Sequence, residues 1–291
     1  MRTLFVFLLA VHSMVIPVSI AAQHAENVFS YKLGLFEITL LSESQGQGNK
    51  NILIDATPEM LRKYAPEGSF PNATNAFFVK TPDTNILVDA GFGRNLFTNL
   101  QAIGITPEQV DVVLLTHMHG DHIGGMLRDG KPSFPHAEVY LAQPEHDYWL
   151  TNSRGEQARE VIAAYKNKLH LFQPLEAGEK ATPLLAGIQG IAAYGHTPGH
   201  TAFLVESDNE KLLIWGDLTH AMAIQMPYPQ VAVTYDVTPG DAIAYRKKLL
   251  EYTLKNKIPV AGMHIAFPGI GTIAKDPASE GYVFTPASYP K

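Results

Sequence analysis

Leu114-Leu115-Thr116-His117-Met118-His119-Gly120-Asp121-His122-Ile123-Gly124-Gly125 is the stretch around which the chain is read. Three imidazoles and a carboxylate fall within six residues, directly after Val112 to Leu115, an apolar run that reads as a buried strand. Alternate side chains of an extended backbone share a face, so His117 and His119 can point at one spot. Asp121 and His122 come where the chain must turn and can reach a second spot close by. Gly120, Gly124 and Gly125 let the backbone bend tightly and approach both. The whole chain holds 12 His in 291 residues, so a strand end that merely happens to be His-rich is a poor account of this spacing. The stretch is a metal site.

Composition narrows the ligand chemistry. Hydrophobic residues make up 46% and charged residues 17%, which suits a globular enzyme with a sizeable core. The formal net charge of −6 sets an unfavourable field against nucleic acid. There is no Cys, which removes disulfides, thiolate nucleophiles and thiolate ligands and leaves imidazole and carboxylate as the good metal donors. Met1-Arg2, the apolar Leu4 to Ile20 and the small residues Ser19-Ile20-Ala21-Ala22 have the pattern of a secretory signal peptide, expected over residues 1–22. Pro17 and the shortness of the run argue against a permanent membrane helix. The expected mature protein is one domain, residues 23–291, in the periplasm or secreted.

Outward from the His cluster, Tyr31 to Leu41 reads as strand broken by Gly34, and Gln45 to Lys50 as a polar loop. Thr57-Pro58-Glu59 opens a short helix with Thr as N-cap. Ala76 to Val79 and Ile86 to Val88 form a hairpin-like pair, Leu96 to Ile103 has helical spacing, and Thr106 to Gln109 resembles a capping box. Further strands are expected at Val139 to Leu141, Ile191 to Tyr194, Ala202 to Val205, Leu212 to Trp215 and Ile258 to Ala261. Glu156 to Lys168 is an amphipathic helix, and Thr238-Pro239 opens the longest one. No linker or repeat divides the chain, and strands followed by helices in both halves predict an α/β fold of sheets covered by helices.

Three later apolar runs each end in a potential ligand: Tyr194-Gly195-His196, Leu213-Ile214-Trp215-Gly216-Asp217 and Val260-Ala261-Gly262-Met263-His264. Strand ends at one sheet edge are where an α/β fold gathers its site residues. Together with the first cluster they supply donors enough for two cations.

His117-x-His119-x-Asp121-His122, then His196, Asp217 and His264, resembles the pattern of the metallo-β-lactamase-fold hydrolases. Leu87-Val88-Asp89-Ala90-Gly91 looks like that family's first motif, whose Asp supports the site. The resemblance spans nearly the whole mature chain. It implies a four-layer αββα sandwich with two zinc ions at the sheet edge; the imidazole and carboxylate donors themselves also suit manganese, cobalt or iron. By the same resemblance His117, His119 and His196 hold one metal, Asp121, His122 and His264 the other, and Asp217 bridges both. Trp215-Gly216-Asp217-Leu218-Thr219-His220 with Gln225, Arg246-Lys247-Lys248 and Val260 to Gly269 looks like the methyl parathion hydrolase and N-acyl-homoserine lactonase subgroup. The best-known lactonases carry a Tyr three residues after the bridging Asp. His220 stands there in this chain, and it either takes a related catalytic role or packs.

Two cations sharing a hydroxide, with Asp121 orienting it and moving its proton, would attack a carbonyl or phosphoryl centre. The expected substrate is a neutral lactone, ester or phosphotriester, met in a pocket walled by Met222, Ile224, Met226, Tyr228, Ile265 and Phe267. A β-lactamase and an iron-dependent persulfide dioxygenase of the same fold are the alternatives, and Asp217 weighs against the first. The expected partner is a small molecule, with no nucleic acid and no stable membrane insertion, and a homodimer stays open. His200 either hydrogen-bonds the site or caps its strand. His136, His146 and His170 read as surface residues.

Overall fold

A computed structural model describes residues 27–288, so the signal peptide expected over residues 1–22 lies outside the described residues. Burial along the strands has a period of two, with both faces covered. Ile86, Val88, Val112 and Leu114 point into one apolar cluster, while Leu87, Val113 and Leu115 point into another. The same alternation recurs later, with Phe203, Val205, Leu212 and Ile214 in the shared cluster and Leu204, Leu213 and Trp215 in a third. Side chains that alternate between two cores mean a strand buried on both faces.

Those cores separate four layers. A 7-stranded sheet has the spatial order Val28–Leu33, Phe36–Asn49, Ser69–Lys80, Asn85–Val88, Val112–Leu114, Glu138–Ala142, Leu169–Phe172. A 6-stranded sheet has the order Ile188–Ala192, Thr201–Ser207, Glu210–Ile214, Val260–Ala261, Ile270–Lys275, Tyr282–Pro286. The sheets meet face to face through the shared cluster. Outside the first lie helices Leu96–Ala102, Gln143–Thr151 and Glu156–Tyr165, which bury Leu100, Trp149 and Val161 against it. Helix Pro239–Asn256 covers the second with Leu249 and Leu250. This is the expected αββα sandwich.

Topology sets where chemistry gathers. Strands Asn85–Val88, Val112–Leu114, Glu138–Ala142 and Leu169–Phe172 run parallel to one another. In the other sheet Glu210–Ile214 and Val260–Ala261 are parallel as well, joined through helix Pro239–Asn256. Parallel strands end at the same edge, so Asp89, Thr116 to His122, Asp217 and His264 all emerge on one rim. Among the described residues no helix is long and apolar enough to cross a membrane.

The break expected at Gly34, at φ +54°, is a hairpin turn between two antiparallel strands. The structure departs from the sequence expectations in three places. Gln45 to Lys50 is no loop. Strand Phe36–Asn49 continues through it, paired residue by residue with Ser69 to Ala73, because backbone pairing satisfies the main chain whatever the side chains are. Gly48 is needed there, since a Cβ would meet the Phe70 ring at 2.3 Å. Helix Gln143–Thr151 was not expected, its polar sequence lacking a broad apolar stripe, although Pro144 sits in a first turn where Pro is tolerated. The closing hairpin Ile270–Lys275 with Tyr282–Pro286 was also missed.

Leu40 is fully buried between the sheets, whereas Leu35 in the neighbouring turn is 63% exposed. Leu40→Ala should cost about 2–5 kcal/mol in denaturant unfolding. Leu35→Ala should change stability by less than about 0.5 kcal/mol. Equal losses would contradict a core at the sheet interface.

Candidate metal centre

The rim brings all seven expected ligands together. His117 lies three residues beyond strand Val112–Leu114, and His119 is the N-cap of the single-turn helix Gly120–Ile123, which carries Asp121 and His122. Side-chain donors of His117, His119, His196 and Asp217 lie within 4.8 Å of one another, as do those of Asp121, His122, Asp217 and His264. Asp217 is common to both groups. In the first, His119 Nδ1 is 3.0 Å from His117 Nε2 and 2.9 Å from His196 Nε2. In the second, His264 Nε2 is 3.5 Å from Asp121 Oδ2 and 3.1 Å from Asp217 Oδ2, and His122 Nε2 is 3.2 Å from Asp217 Oδ1.

The remote ring nitrogens show why these rings face inward. His122 Nδ1–H donates to Asp89 Oδ2 at 2.6 Å, His196 Nδ1–H to Asp236 Oδ1 at 3.0 Å, and His264 Nδ1–H to the Ala73 carbonyl at 2.6 Å. Thr116 Oγ1–H donates to Asp89 Oδ2 at 2.7 Å, so its oxygen accepts from His117 Nδ1–H at 3.1 Å. Each bond fixes a tautomer with the proton on Nδ1 and leaves the Nε2 lone pair aimed at the cluster, as metal-binding imidazoles require. His122 Nε2 and Asp217 Oδ1 are buried and have no hydrogen-bond partner among the described residues. Buried polar atoms rarely stay unpaired, so two that face each other without bonding fit a cation between them. The N and O donor set without thiolate suits zinc, manganese, cobalt or iron.

Electrostatics agree. Burial alone would push the Asp217 carboxyl up, yet His122, His264, His220 and His117 hold it well below its usual range. Burial pushes His117 well down, and likewise takes His119 to about 3. His196 resists the same burial because Asp217 and Asp236 raise it to about 9, and Asp217 and Asp121 raise His264 and His122. The carboxylates thus draw positive charge into the rim, and protons and cations compete for it.

Other residues hold this frame in place. Asp89, at φ +58°, takes a left-handed turn that lets its carboxylate reach Thr116 N at 2.8 Å as well as His122. His200 does hydrogen-bond the site, since its Nε2 accepts from Asp217 N–H at 2.9 Å and its Nδ1–H donates to the Ala193 carbonyl. Gly216 is required beside it, because a Cβ would stand 2.4 Å from His200 Nε2. His220 Nε2 lies 3.0 Å from Asp217 Oδ2, and its ring stacks on His264, so it belongs to the site rather than to plain packing. His136 is exposed, His170 pairs with Glu138 and His146 with Asp147, and none of the three belongs to either donor group.

Sequence reading missed Asp236 and Glu145. Asp236 follows no ligand-like strand end, and Glu145 sits in the unexpected helix. Buried Arg246, quoted above only for the family resemblance, donates to the carbonyls of Leu218, Pro229 and Val231, clamping the segment after Asp217. The expected pocket wall needs correction. The cavity over the ligands, 540 Å³, is lined by Gln47, Asn49, Ile52, Asn72, Phe92 and Tyr235. Met222, Met226, Ile265 and Phe267 line a separate 380 Å³ cavity instead. Pro71 faces one cavity and Asn72 the other, as successive residues of one strand must.

Comparison with known proteins gives the same picture. A hydrolase of the beta lactamase superfamily, AbOPH, superposes with a TM-score of 0.80 at 28% identity, over 92% of this chain and 100% of that one. The dizinc quorum-quenching lactonase AidC, solved with N-hexanoyl-L-homoserine, gives 0.79 at 26% identity over 91% and 99%. The lactamase-like protein vrtG of Penicillium aethiopicum is 29% identical over 157 residues, 52% of this chain and 42% of its own length. The chain spans about half the length of such curated relatives. The profile of the metallo-beta-lactamase superfamily matches residues 70–262, and the chain belongs to that superfamily.

Proposed function

We propose that the protein is a dinuclear-metal hydrolase acting on a neutral lactone or ester, with phosphotriesters as related substrates. The observation that carries this reading is the pair of donor groups joined through Asp217. His117, His119 and His196 would hold one divalent cation, Asp121, His122 and His264 the other, and Asp217 both. When bound, such cations, zinc first, supply acidified water and polarise a carbonyl or phosphoryl oxygen.

The chain's own groups do the rest. Asp121 lines the cavity and keeps its side chain 22% exposed, so its carboxylate can orient a water and take its proton. His220 lines the same cavity, holding Asp217 through Nε2, where it meets the reacting group of a substrate. Among the described residues no Lys or Arg lines this cavity, so an anionic phosphodiester would find no positive partner along its walls. Ile52, Phe92 and Tyr235 offer apolar surface, and Gln47, Asn49 and Asn72 offer amides, a combination suited to a neutral polar head with an apolar tail. The AidC complex, a lactonase holding an acyl-homoserine product, supports the same class. The leader pattern of residues 1–22 supports export to the periplasm or beyond.

Purified protein should bind two zinc ions per chain, whereas one iron would favour the dioxygenase alternative. Asp121→Asn should lower kcat by about a hundredfold or more on a lactone or aryl ester. Asp89→Asn keeps Asp121 and disturbs His122 orientation, so it should act through metal affinity, by about 10–100-fold, and recover when metal is in excess. Equal small losses would remove the special role of Asp121. In a separate series of lactones, two added acyl methylenes should lower KM by up to about tenfold, at about 0.8 kcal/mol each, with little turnover of cephalosporins. A flat response, or a preference for β-lactams, would overturn the substrate assignment.

A further inference from the structure

Helix Gln143–Thr151 carries none of the metal-donor residues, yet it presents a fully buried carboxylate to the site. Glu145 Oε1 accepts from Met118 N–H at 3.0 Å and from Trp149 Nε1–H at 2.5 Å. Its Oε2 accepts from the Thr197 hydroxyl at 2.6 Å and from Gly199 N–H at 3.0 Å. A carboxylate offers about four lone-pair sites, and here every one of them meets a donor. A neutral acid or an amide would turn at least one donor towards another donor, so this environment selects the anion.

The bonded segments share one destination. Met118 lies between His117 and His119. Thr197 follows His196, and Gly199 precedes His200, whose ring holds the Asp217 backbone. Trp149, one helical turn after Glu145, stands edge-on to His119 with ring centroids 5.5 Å apart. The helix and the second loop touch backbone to backbone, since a Cβ on Gly199 would stand 2.1 Å from Glu145 N. The other donor group, Asp121, His122 and His264, takes its bonds from Asp89 and Ala73 and none from this helix.

We infer that Glu145 is the positioning residue of the three-His site, tying the loop of His117 and His119 to the loop of His196. Its four bonds end on the loops of that site and on Trp149, and none reaches Asp121, His122 or His264, so the three-His site is the more sensitive of the two. The inference rests on the assignment of those three imidazoles to one cation. It predicts a selective loss that a residue of general structural importance would not give.

The test is stepwise Co2+ binding to metal-stripped full-length chain, followed by visible absorption and by competition with a chelator. His196→Ala and His264→Ala identify which step belongs to which site. In Glu145→Gln the step lost in His196→Ala should weaken by about 10–100-fold with a changed Co2+ spectrum, the other step holding within about twofold. Thr197→Val removes one donor from the same carboxylate and should weaken the same step by less. It also decides the matter should Glu145→Gln fail to fold. Equal weakening of both steps, or no change in either, overturns the inference. Wild-type protein that takes up no Co2+ would overturn the dinuclear assignment itself, whereas two ions bound equally well by wild type and both variants would sink the clamp alone.

Discussion

The Asp217 carboxylate is the constraint on which the rest of the structure depends. It is buried among His117, His122, His196, His220 and His264, with ring nitrogens 3.0–3.7 Å from its oxygens. A buried carboxylate is expensive unless it is paired and hydrogen-bonded, and its cost rises steeply if its partners drift. Every supporting feature of the rim limits such drift. Gly216 lets the chain pass against His200, His200 anchors the Asp217 amide, and Arg246 ties down Leu218 directly behind it. The two sheets exist, in functional terms, to hold this one group against residues from both.

That role explains the distribution of ligands between sheets. His117 to His122 leave the first sheet, while His196, Asp217 and His264 leave the second. Neither sheet alone has a complete donor group, because each group takes Asp217 from the second sheet and His or Asp from the first. Packing between the sheets is therefore what sets the spacing of the site. Phe77, Val88, Leu114, Phe203 and Ile214 fill the interface just beneath the rim, and close-packed interiors transmit displacement rather than absorb it.

The ligands and the helix-covered sheets were legible in the sequence because both leave local marks, while the four-layer order came with the family resemblance. An apolar run ending in His or Asp records a buried strand and its edge in consecutive residues, and the His117 to His122 spacing allows few other readings. The supporting residues leave no such mark. Glu145 and Asp236 look like any surface acid until tertiary contacts bury them, and the donors they meet, Met118 N–H or His196 Nδ1–H, are far away in sequence. The pocket wall was misread for a related reason. Proximity in sequence to Asp217 placed Met222 and Met226 beside the site, but the alternation of one strand at Pro71 and Asn72 puts them behind a partition. The strand from Gln45 to Asn49, polar and Gly-containing, supplies the true wall. Its pairing with Ser69 to Ala73 is a backbone property that its side chains do not announce.

Glu43, Asp89, Glu145, Asp217 and Asp236 are buried, and Arg246 is the one Lys or Arg buried with them among the described residues. Arg246 stands 3.9 Å from Asp236, with burial lowering it only to about 10, so it stays charged. One guanidinium cannot balance this many carboxylates. The remaining positive charge has to come from imidazolium or from cations, and the Nδ1–H bonds favour the second by turning unprotonated Nε2 inward. Two divalent ions would overcompensate locally and make the cavity floor electropositive towards an electron-rich oxygen. The walls add no cation of their own. A substrate anion would be attracted to the floor but left unpaired along the walls, whereas a neutral carbonyl needs only the floor. The proposed selection for neutral electrophiles would thus follow from where the positive charge is placed rather than from how much of it there is.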